Sequence, residues 1–586
     1  MDVHVGISGE VGAGGVSEAP ADGAVARFTE EGPMDALLRR VGAVGAGLLC
    51  WKAATHLFQH GNFAANDVAM ALVMGSYTLG FVLFSLAAVR VVPRWTSAVV
   101  VAACALVFAD YAAVYHANQA LLGTPLTTDV HIYNDYAAWL LRHGHNPYAA
   151  DLLAGYRAHG APLTFSTPLI NGDLTGRLAY PALHVLAYVP FQILGFPTRW
   201  VYPLFFVVSL ALLFNASERK FRPVVLLPFF IDGVFLEYAL GGVSDFGWAM
   251  LLVAMIAAWK RPMARAVLYG LACSYKHHPW LLAPFLLVRI FAEASGDARD
   301  RWRSIGQFVA GSVLVFTAIN FPFLAWDPSA WWLGVTEPAR APMIAWGQGP
   351  SAVFSVGNWV VPKAFFSIWM YGSLGLLLVA YAWDVRRMPE FLWLVPGISL
   401  FLGPRSLTSY WYFTLIPWVA ALTGVAVRSV SAVEGSVASG RRLALPWAAA
   451  AIGLGGGLGL LVLGLPEQDL RIRLAGNVVV DGLLARTATV EVVNAGQKPI
   501  RPRFQVQHGS LQPFFWTVLG GPEVLEPGAT GVFHIGTERP FEMFDVREGG
   551  RILVTPDDAY TPRAQVAVAG DASIGVPDAL PNGAWR

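Results

Sequence analysis

Charge is scarce in this sequence. Only 13% of its 586 residues are Asp, Glu, Lys or Arg, and 55% are hydrophobic; a soluble protein averages about 25% charged. So little charge cannot cover the surface of a water-soluble globule this large. The scarcity is also uneven, because residues 466–586 hold 25 charged side chains in 121 positions and residues 1–465 hold the other 54. The body therefore reads as lipid-facing and the tail as water-facing. A formal net charge of +1 gives no reason to expect nucleic acid as a partner. Cysteine is nearly missing as well: Cys50, Cys104 and Cys273 all lie in apolar segments and the tail has none. That argues against a disulfide framework and against zinc-type Cys/His spacing. No basic stretch leads into an apolar one at the N-terminus. Residues 1–33 are rich in Gly, Ala and acids, so we read them as a disordered cytoplasmic segment without a signal peptide. No internal repeat is evident.

What is present is a long series of apolar runs, at 41–58, 68–89, 97–118, 181–196, 200–216, 223–240, 246–259, 263–276, 279–292, 305–324, 364–383, 391–402, 410–427 and 444–465. A full span needs about 20 residues, and several runs are shorter. Short runs punctuated by Pro or Gly suggest broken or tilted helices around a protein-lined cavity. The expectation is a polytopic α-helical membrane body over 34–465, with about 11–14 membrane helices including short or re-entrant ones.

Basic residues orient the body. Arg39, Arg40, Arg90, Arg94, Lys260, Arg261, Arg265, Arg299, Arg301, Arg303, Arg386, Arg387, Arg428, Arg441 and Arg442 can all be cytoplasmic at once. The other side then receives 119–180, 241–245, 325–363, 403–409 and the tail. The three runs between 181 and 240 give the wrong parity if each crosses, so one is expected to be re-entrant or interfacial. From about 467 the pattern changes to period two, as in Ala488-Thr489-Val490-Glu491-Val492-Val493, with turn signals such as Glu526-Pro527-Gly528. This predicts an extracytoplasmic, antiparallel, sandwich-like all-β domain over 466–586.

Polar residues in and beside the apolar runs are the candidates for function. The longest loop, 119–180, contains Asp129, Tyr133, Asp135 and Tyr180. From Val130 to Leu141 its pattern is that of an amphipathic helix, with Asp129 at the N-cap position. Asp129 reads either as a cap carboxylate or as a general base facing a cavity at the membrane surface; Asp135 reads as a solvated or salt-bridged acid. Lys276-His277-His278-Pro279 joins two short apolar runs, so it falls at a hairpin apex. Three groups able to carry positive charge there suggest an anion, such as a phosphate, or else snorkelling to headgroups. Arg405, in Gly403-Pro404-Arg405-Ser406, reads as an interfacial anchor or a second phosphate contact. Asp232, Glu237 and Asp245 fringe the 223–259 hairpin, where Asp245 could simply cap a helix. Trp331, Trp332, Trp346 and Trp359 fit an aromatic belt or a sugar platform. Phe514, Phe515 and Trp516 read as core or as a stacking surface.

The order of these features resembles the GT-C superfamily of membrane glycosyltransferases, and more narrowly the polyprenol-phosphate-dependent mannosyltransferases of glycosyltransferase family 87. That family's first loop reads approximately Asp-x-x-Val-Tyr, a helix, then Gly-x-x-x-Tyr. Here stand Asp129-Val130-His131-Ile132-Tyr133, then Gly144 to Tyr148. The family's Tyr-Pro-Pro is matched by Tyr180-Pro181-Ala182, and its Lys-x-x-Pro by Lys276-His277-His278-Pro279, while its Gly-Gln is replaced by Gly241-Gly242-Val243-Ser244-Asp245. The resemblance covers about residues 97–425. It implies sugar transfer from a polyprenyl-phosphate donor to a hydroxyl of a glycan or glycolipid, with inversion. Asp129 would be the base. Lys276, His277, His278 and Arg405 would hold the donor phosphate, and Tyr133, Asp135, Tyr180 and Asp245 would bind substrate. A monophosphate beside fixed cations needs no metal, so no cofactor is expected. The site would face outward from the plasma (inner) membrane. Nothing in the residues chooses mannose, arabinofuranose or glucose as the sugar. Two other readings are a transporter or flippase of a lipid-linked sugar and a membrane scaffold displaying a β-domain.

Overall fold

A computed structural model describes residues 33–60, 67–88, 94–122, 128–161, 163, 166–356, 360–424, 444–463, 469–476, 478–481, 484–507, 515–537, 543–545 and 549–568. Arg90, Trp359, Arg428, Arg441, Arg442, Phe514 and the N-terminal segment 1–32 lie outside them.

The chain is a bundle of apolar helices followed by a β domain. Among the described residues, seven helices are long and apolar enough to cross a membrane: Pro33–Gln59, Met70–Ala88, Thr96–Ala117, Thr198–Ala216, Ala298–Trp326, Lys363–Asp384 and Pro446–Leu463. The first three belong to helices α1 (Pro33–His60), α2 (Asp67–Ala88) and α3 (Thr96–Leu122). These pack on one another, with Gly47 against Phe84 and Gly80 against Trp51. Small residues let helix backbones approach where lipid removes the hydrophobic drive for association. Helix α8 (Val201–Ala216) forms most of the Thr198–Ala216 span. The remaining segments fold as shorter pieces: α4 (Asp129–Arg142) and α5 (Ala154–Ala158) in the long loop, the consecutive short helices α6 (Ala182–Leu186) and α7 (Val189–Ile193), α9 (Val234–Gly241), α10 (Phe246–Ala257), α11 (Pro262–Tyr275) and α12 (Ala283–Glu293). Helices α9 and α10 meet at 117°, as a broken span or a re-entrant loop.

The packing distinguishes the apolar runs on either side of α8. The run at 181–196 packs against α4, α11 and the Ala298–Trp326 helix. The Ala182 amide donates to Asn320 Oδ1, near the C-terminal end of the Ala298–Trp326 helix, and the Gln192 side chain binds Asp135. The run at 223–240 instead travels along α1. Pro223 lies against Gly42, Leu227 against Gly45, and Lys52 Nζ donates to Ile231 O at 2.7 Å. Its backbone is a 3-10 turn at Leu227–Phe229 and then α9, joined by Gly233 at φ +84°. The Tyr111 hydroxyl and Lys52 Nζ occupy the space that a Cβ at Gly233 would need.

The tail is all-β, as its period-two segments predict. Its strands follow one antiparallel path, β1 (Leu470–Leu474), β3 (Leu484–Asn494), β6 (Thr530–Gly536), β5 (Phe515–Gly520), β4 (Pro502–Gln507), β8 (Gly550–Pro556) and β9 (Ala564–Val568). The short strands β2 (Val479–Asp481) and β7 (Phe544–Asp545) also pair with β3. Strand β9 returns beside β1, so the domain nearly closes into a barrel. Along β6, Phe533 and Ile535 point in and Val532 and His534 point out. Trp516 is 2% exposed in the barrel core with Phe504, Val490 and Val554, so it is core rather than a stacking surface.

Candidate functional site

Helix α4 begins at Asp129, and its N-cap is Thr128, whose side chain accepts from the His131 amide. This corrects the sequence reading, which put Asp129 at the cap. Capping by Thr128 leaves the Asp129 carboxylate free for other contacts. Its Oδ1 accepts from the adjacent Val130 amide at 2.8 Å, and its Oδ2 accepts from Thr167 Oγ1 at 2.7 Å. The Thr128 hydroxyl donates to Gly242 O at 2.7 Å, which ties the start of α4 to the α9–α10 break.

Thr167 stands on a small hairpin, closed by a Pro168–Leu174 bridge, with Gly172 at its tip. Tyr133 holds the base of the hairpin: its buried hydroxyl bonds Ser166 Oγ and Thr175 O. Tyr133 thus supports Thr167.

Arg405 reaches the same hairpin. Its Nη2 donates to Thr167 Oγ1 at 3.2 Å, its Nη1 lies 3.1 Å from Met343 Sδ, and its guanidinium sits 5.3 Å from the centre of the Trp346 ring. Its Nε is buried without a hydrogen-bond partner. Among the described residues no carboxylate forms an ion pair with Arg405. A sulfur is a weak acceptor, so the guanidinium is held in place without a direct carboxylate contact.

The Arg405 loop is braced by residues 346–349. The Ser406 amide donates to Trp346 O and the Gln348 amide to Ser406 O. The approach needs Gly347, which has φ +123° and would place a Cβ 1.9 Å from Ser406 O. Gly347→Ala is expected to lower stability by about 1–3 kcal/mol, the scale of backbone strain at such a position. It should also displace the Arg405 loop, visible as faster amide exchange at Ser406.

The other half of the site is built on Lys276. The sequence grouped Lys276, His277 and His278; the structure keeps Lys276 and His278 together on Asp245 and separates His277. Lys276 Nζ donates to Asp245 Oδ2 at 2.9 Å and Ser244 Oγ at 3.0 Å, and His278 Nδ1 lies 3.0 Å from Asp245 Oδ1. Trp248 Nε1 also donates to Asp245 Oδ1, at 2.6 Å. His277 turns away, its Nε2 2.7 Å from Val335 O. Lys276 is therefore already paired with an anion of the chain, Asp245. A buried charge is tolerated when it is paired and fully hydrogen-bonded. An ammonium has three protons, and two of these are committed.

Tyr180 and Tyr410 link the halves. Lys276 Nζ is 5.5 Å from the Tyr180 ring centre and 5.9 Å from that of Tyr410. Both phenols also feel the charges of Asp129, Asp245 and Arg405, and burial pushes the Tyr180 pKa up, so Tyr180 stays neutral. Asp129, Tyr180, Asp245, Lys276, His278 and Arg405 thus share one neighbourhood. His277 is not in it, and Asp232 and Glu237 instead direct their charge at Lys52. Trp332 is exposed, while Trp331 is buried.

Asp135 is also elsewhere. Its carboxylate binds His159 Nε2 at 2.7 Å and Gln192 Nε2 at 2.7 Å, joining α4 to α5 and α7. Its pKa is lowered overall, by the hydrogen bonds from His159 and Gln192 acting against burial; that of His159 is raised, chiefly by Asp135. The lowered acid contributes stability above its unfolded value, near 3.9, and loses it as pH falls. The raised base contributes fully below its unfolded value, near 6.5, and loses it as pH rises through the folded value. The pair should therefore stabilise most at about pH 4.5–6.5. The melting-temperature gap between wild type and Asp135→Asn is expected to be widest in that window and to narrow above it.

Sequence reasoning missed Thr167, Ser244, Trp248 and Tyr410. Tyr410 had a faint signal, an aromatic cluster Tyr410-Trp411-Tyr412 just past Arg405. Thr167 had none. No protein-family model, no curated protein and no solved structure matches this chain.

Proposed function

We propose that this protein is a membrane glycosyltransferase of GT-C type that moves a sugar from a polyprenyl-phosphate donor to a hydroxyl acceptor outside the cytoplasm. The observation that carries the reading is the guanidinium of Arg405, which has no direct carboxylate contact among the described residues and is joined through Thr167 to the half-buried carboxylate of Asp129. A fixed cation and a carboxylate bridged by one hydroxyl suit a reaction that makes an anion at one end and takes a proton at the other.

In this reading Asp129 takes the proton of the acceptor hydroxyl as its oxygen bonds to the anomeric carbon. The bond from that carbon to the phosphate oxygen breaks, and the electron pair leaves with the prenyl phosphate. Attack from the face opposite the phosphate inverts the centre. Arg405 supplies the main charge for the departing phosphate. Lys276 adds its third proton, while Asp245, Ser244 and His278 fix where that proton points. Tyr180 and Tyr410 supply hydroxyl donors and flat surfaces between the two halves. The basic loops favour a site facing outward from the plasma (inner) membrane.

The test is an assay of the purified protein against a panel of polyprenyl-phosphate sugars with glycan and glycolipid acceptors. Transfer from one donor, lost in Asp129→Asn, supports the reading. Movement of a lipid-linked sugar across proteoliposomes with no transfer would replace it with a flippase.

A further inference from the structure

The β domain touches the site at two points. Tyr560, in the loop between β8 and β9, donates its hydroxyl to Pro404 O, the carbonyl of the peptide that leads into Arg405. Its ring packs on Phe366 of the Lys363–Asp384 helix, in a cluster with Val361 and Leu460. Arg503, on β4, lies over the tip of the hairpin that carries Thr167. Its guanidinium fills the space above Gly172, where a Cβ would stand 1.6 Å from Nη1.

Arg503 lies in the β4–β8 ladder and Tyr560 in the loop that follows it. Arg503 pairs with Thr555 and Pro502 with Pro556, and the Asp557 amide donates to Arg501 O. Tyr560 and Arg503 therefore sit at the same end of the barrel. One contacts the Arg405 loop and the other the Thr167 hairpin, the two segments that Arg405 itself bridges at 3.2 Å. The Tyr560 hydrogen bond fixes the Pro404–Arg405 peptide plane, and that plane sets the direction in which the Arg405 side chain leaves the backbone.

We infer that the β barrel is a fixed wall of the site, with Tyr560 and Arg503 as positioning residues that set the spacing of Arg405 from Thr167 and so the affinity for the lipid phosphate. The last part rests on the glycosyltransferase reading. Neither residue touches the reacting groups; both act through the segments they hold.

The experiment uses the full chain in detergent, with farnesyl phosphate as the probe. Tyr560→Phe keeps the ring packing and removes one hydrogen bond. Arg503→Gln removes the guanidinium from the hairpin tip, and Gly172→Ala displaces the same contact if that variant does not fold. Arg473→Gln, at an exposed pair with Glu491 on the barrel, is the control. Tyr560→Phe and Arg503→Gln are expected to speed amide exchange in 403–408 and 166–175. They should also weaken farnesyl phosphate binding by roughly three- to tenfold, the scale of one hydrogen bond, with little change in melting temperature. The control should alter neither. Unchanged exchange in both segments would overturn the inference. So would full affinity in Tyr560→Phe and Arg503→Gln where Arg405→Ala has lost binding, and the phosphate reading would then stand. Equal binding by wild type and Arg405→Ala would instead overturn the phosphate reading and the inferred effect on affinity with it.

Discussion

Asp129→Asn is expected to lower the rate of sugar transfer by about 10²–10⁴-fold, the usual contribution of a positioned general base. The effect should fall on kcat and leave the donor KM nearly unchanged, because the phosphate is held elsewhere. The fold should survive. Thr128, not Asp129, caps α4, and an Asn carbonyl can still accept from the Val130 amide. Thr128→Ala is the informative contrast. It removes the cap and the bond to Gly242 O, so it should cost about 1 kcal/mol of stability or somewhat more, with a far smaller effect on kcat. A retained rate in Asp129→Asn, measured with a polyprenyl-phosphate sugar donor, would remove Asp129 from the chemistry.

Arg405→Ala carries the second large expectation. Charge-assisted hydrogen bonds contribute about 1.5–3 kcal/mol each, so the affinity for a prenyl phosphate should fall at least 10- to 100-fold. Arg405→Lys should restore only part of it, because an ammonium lacks the planar fork that grips two phosphate oxygens. Lys276→Ala should behave differently. Its Nζ is paired with Asp245 at 2.9 Å, and both side chains are buried. Removing Lys276 strands the carboxylate, and breaking a buried pair costs about 3–5 kcal/mol. Lost folding should therefore dominate there, whereas Arg405→Ala should fold and fail to bind. Binding of a prenyl phosphate and thermal melting, measured on both variants, separate the two outcomes.

The sequence revealed the parts of the site that obey local rules. A lipid-facing body announces itself by composition, because every span must be apolar. Asp129, Lys276 and Arg405 stood out because charge is costly near a membrane, and the structure brings them into one neighbourhood. The rest depends on contacts with no local signature. Asp245 lies 31 residues before Lys276; without that pairing, the Lys276-His277-His278 run calls for an outside anion. Thr167 is an ordinary threonine until the hairpin folds back onto α4. The runs 181–196 and 223–240 are both apolar in the sequence, and only their packing, on Asn320 or along α1, tells them apart. Strand periodicity predicted a β domain but not its near closure, which rests on β9 meeting β1. Tyr560 lies 156 residues from Pro404, beyond the reach of any pattern.

The central claim is that Arg405, beside Asp129 and Thr167, is where a lipid phosphate binds. The most direct measurement is an experimental structure of the full chain with a polyprenyl phosphate bound. Phosphate density is expected within hydrogen-bond reach of the Arg405 guanidinium, with Asp129 facing the open side and the Lys276–Asp245 pair intact. A phosphate bound away from Arg405, or Arg405 turned onto a carboxylate of the chain itself, would contradict it.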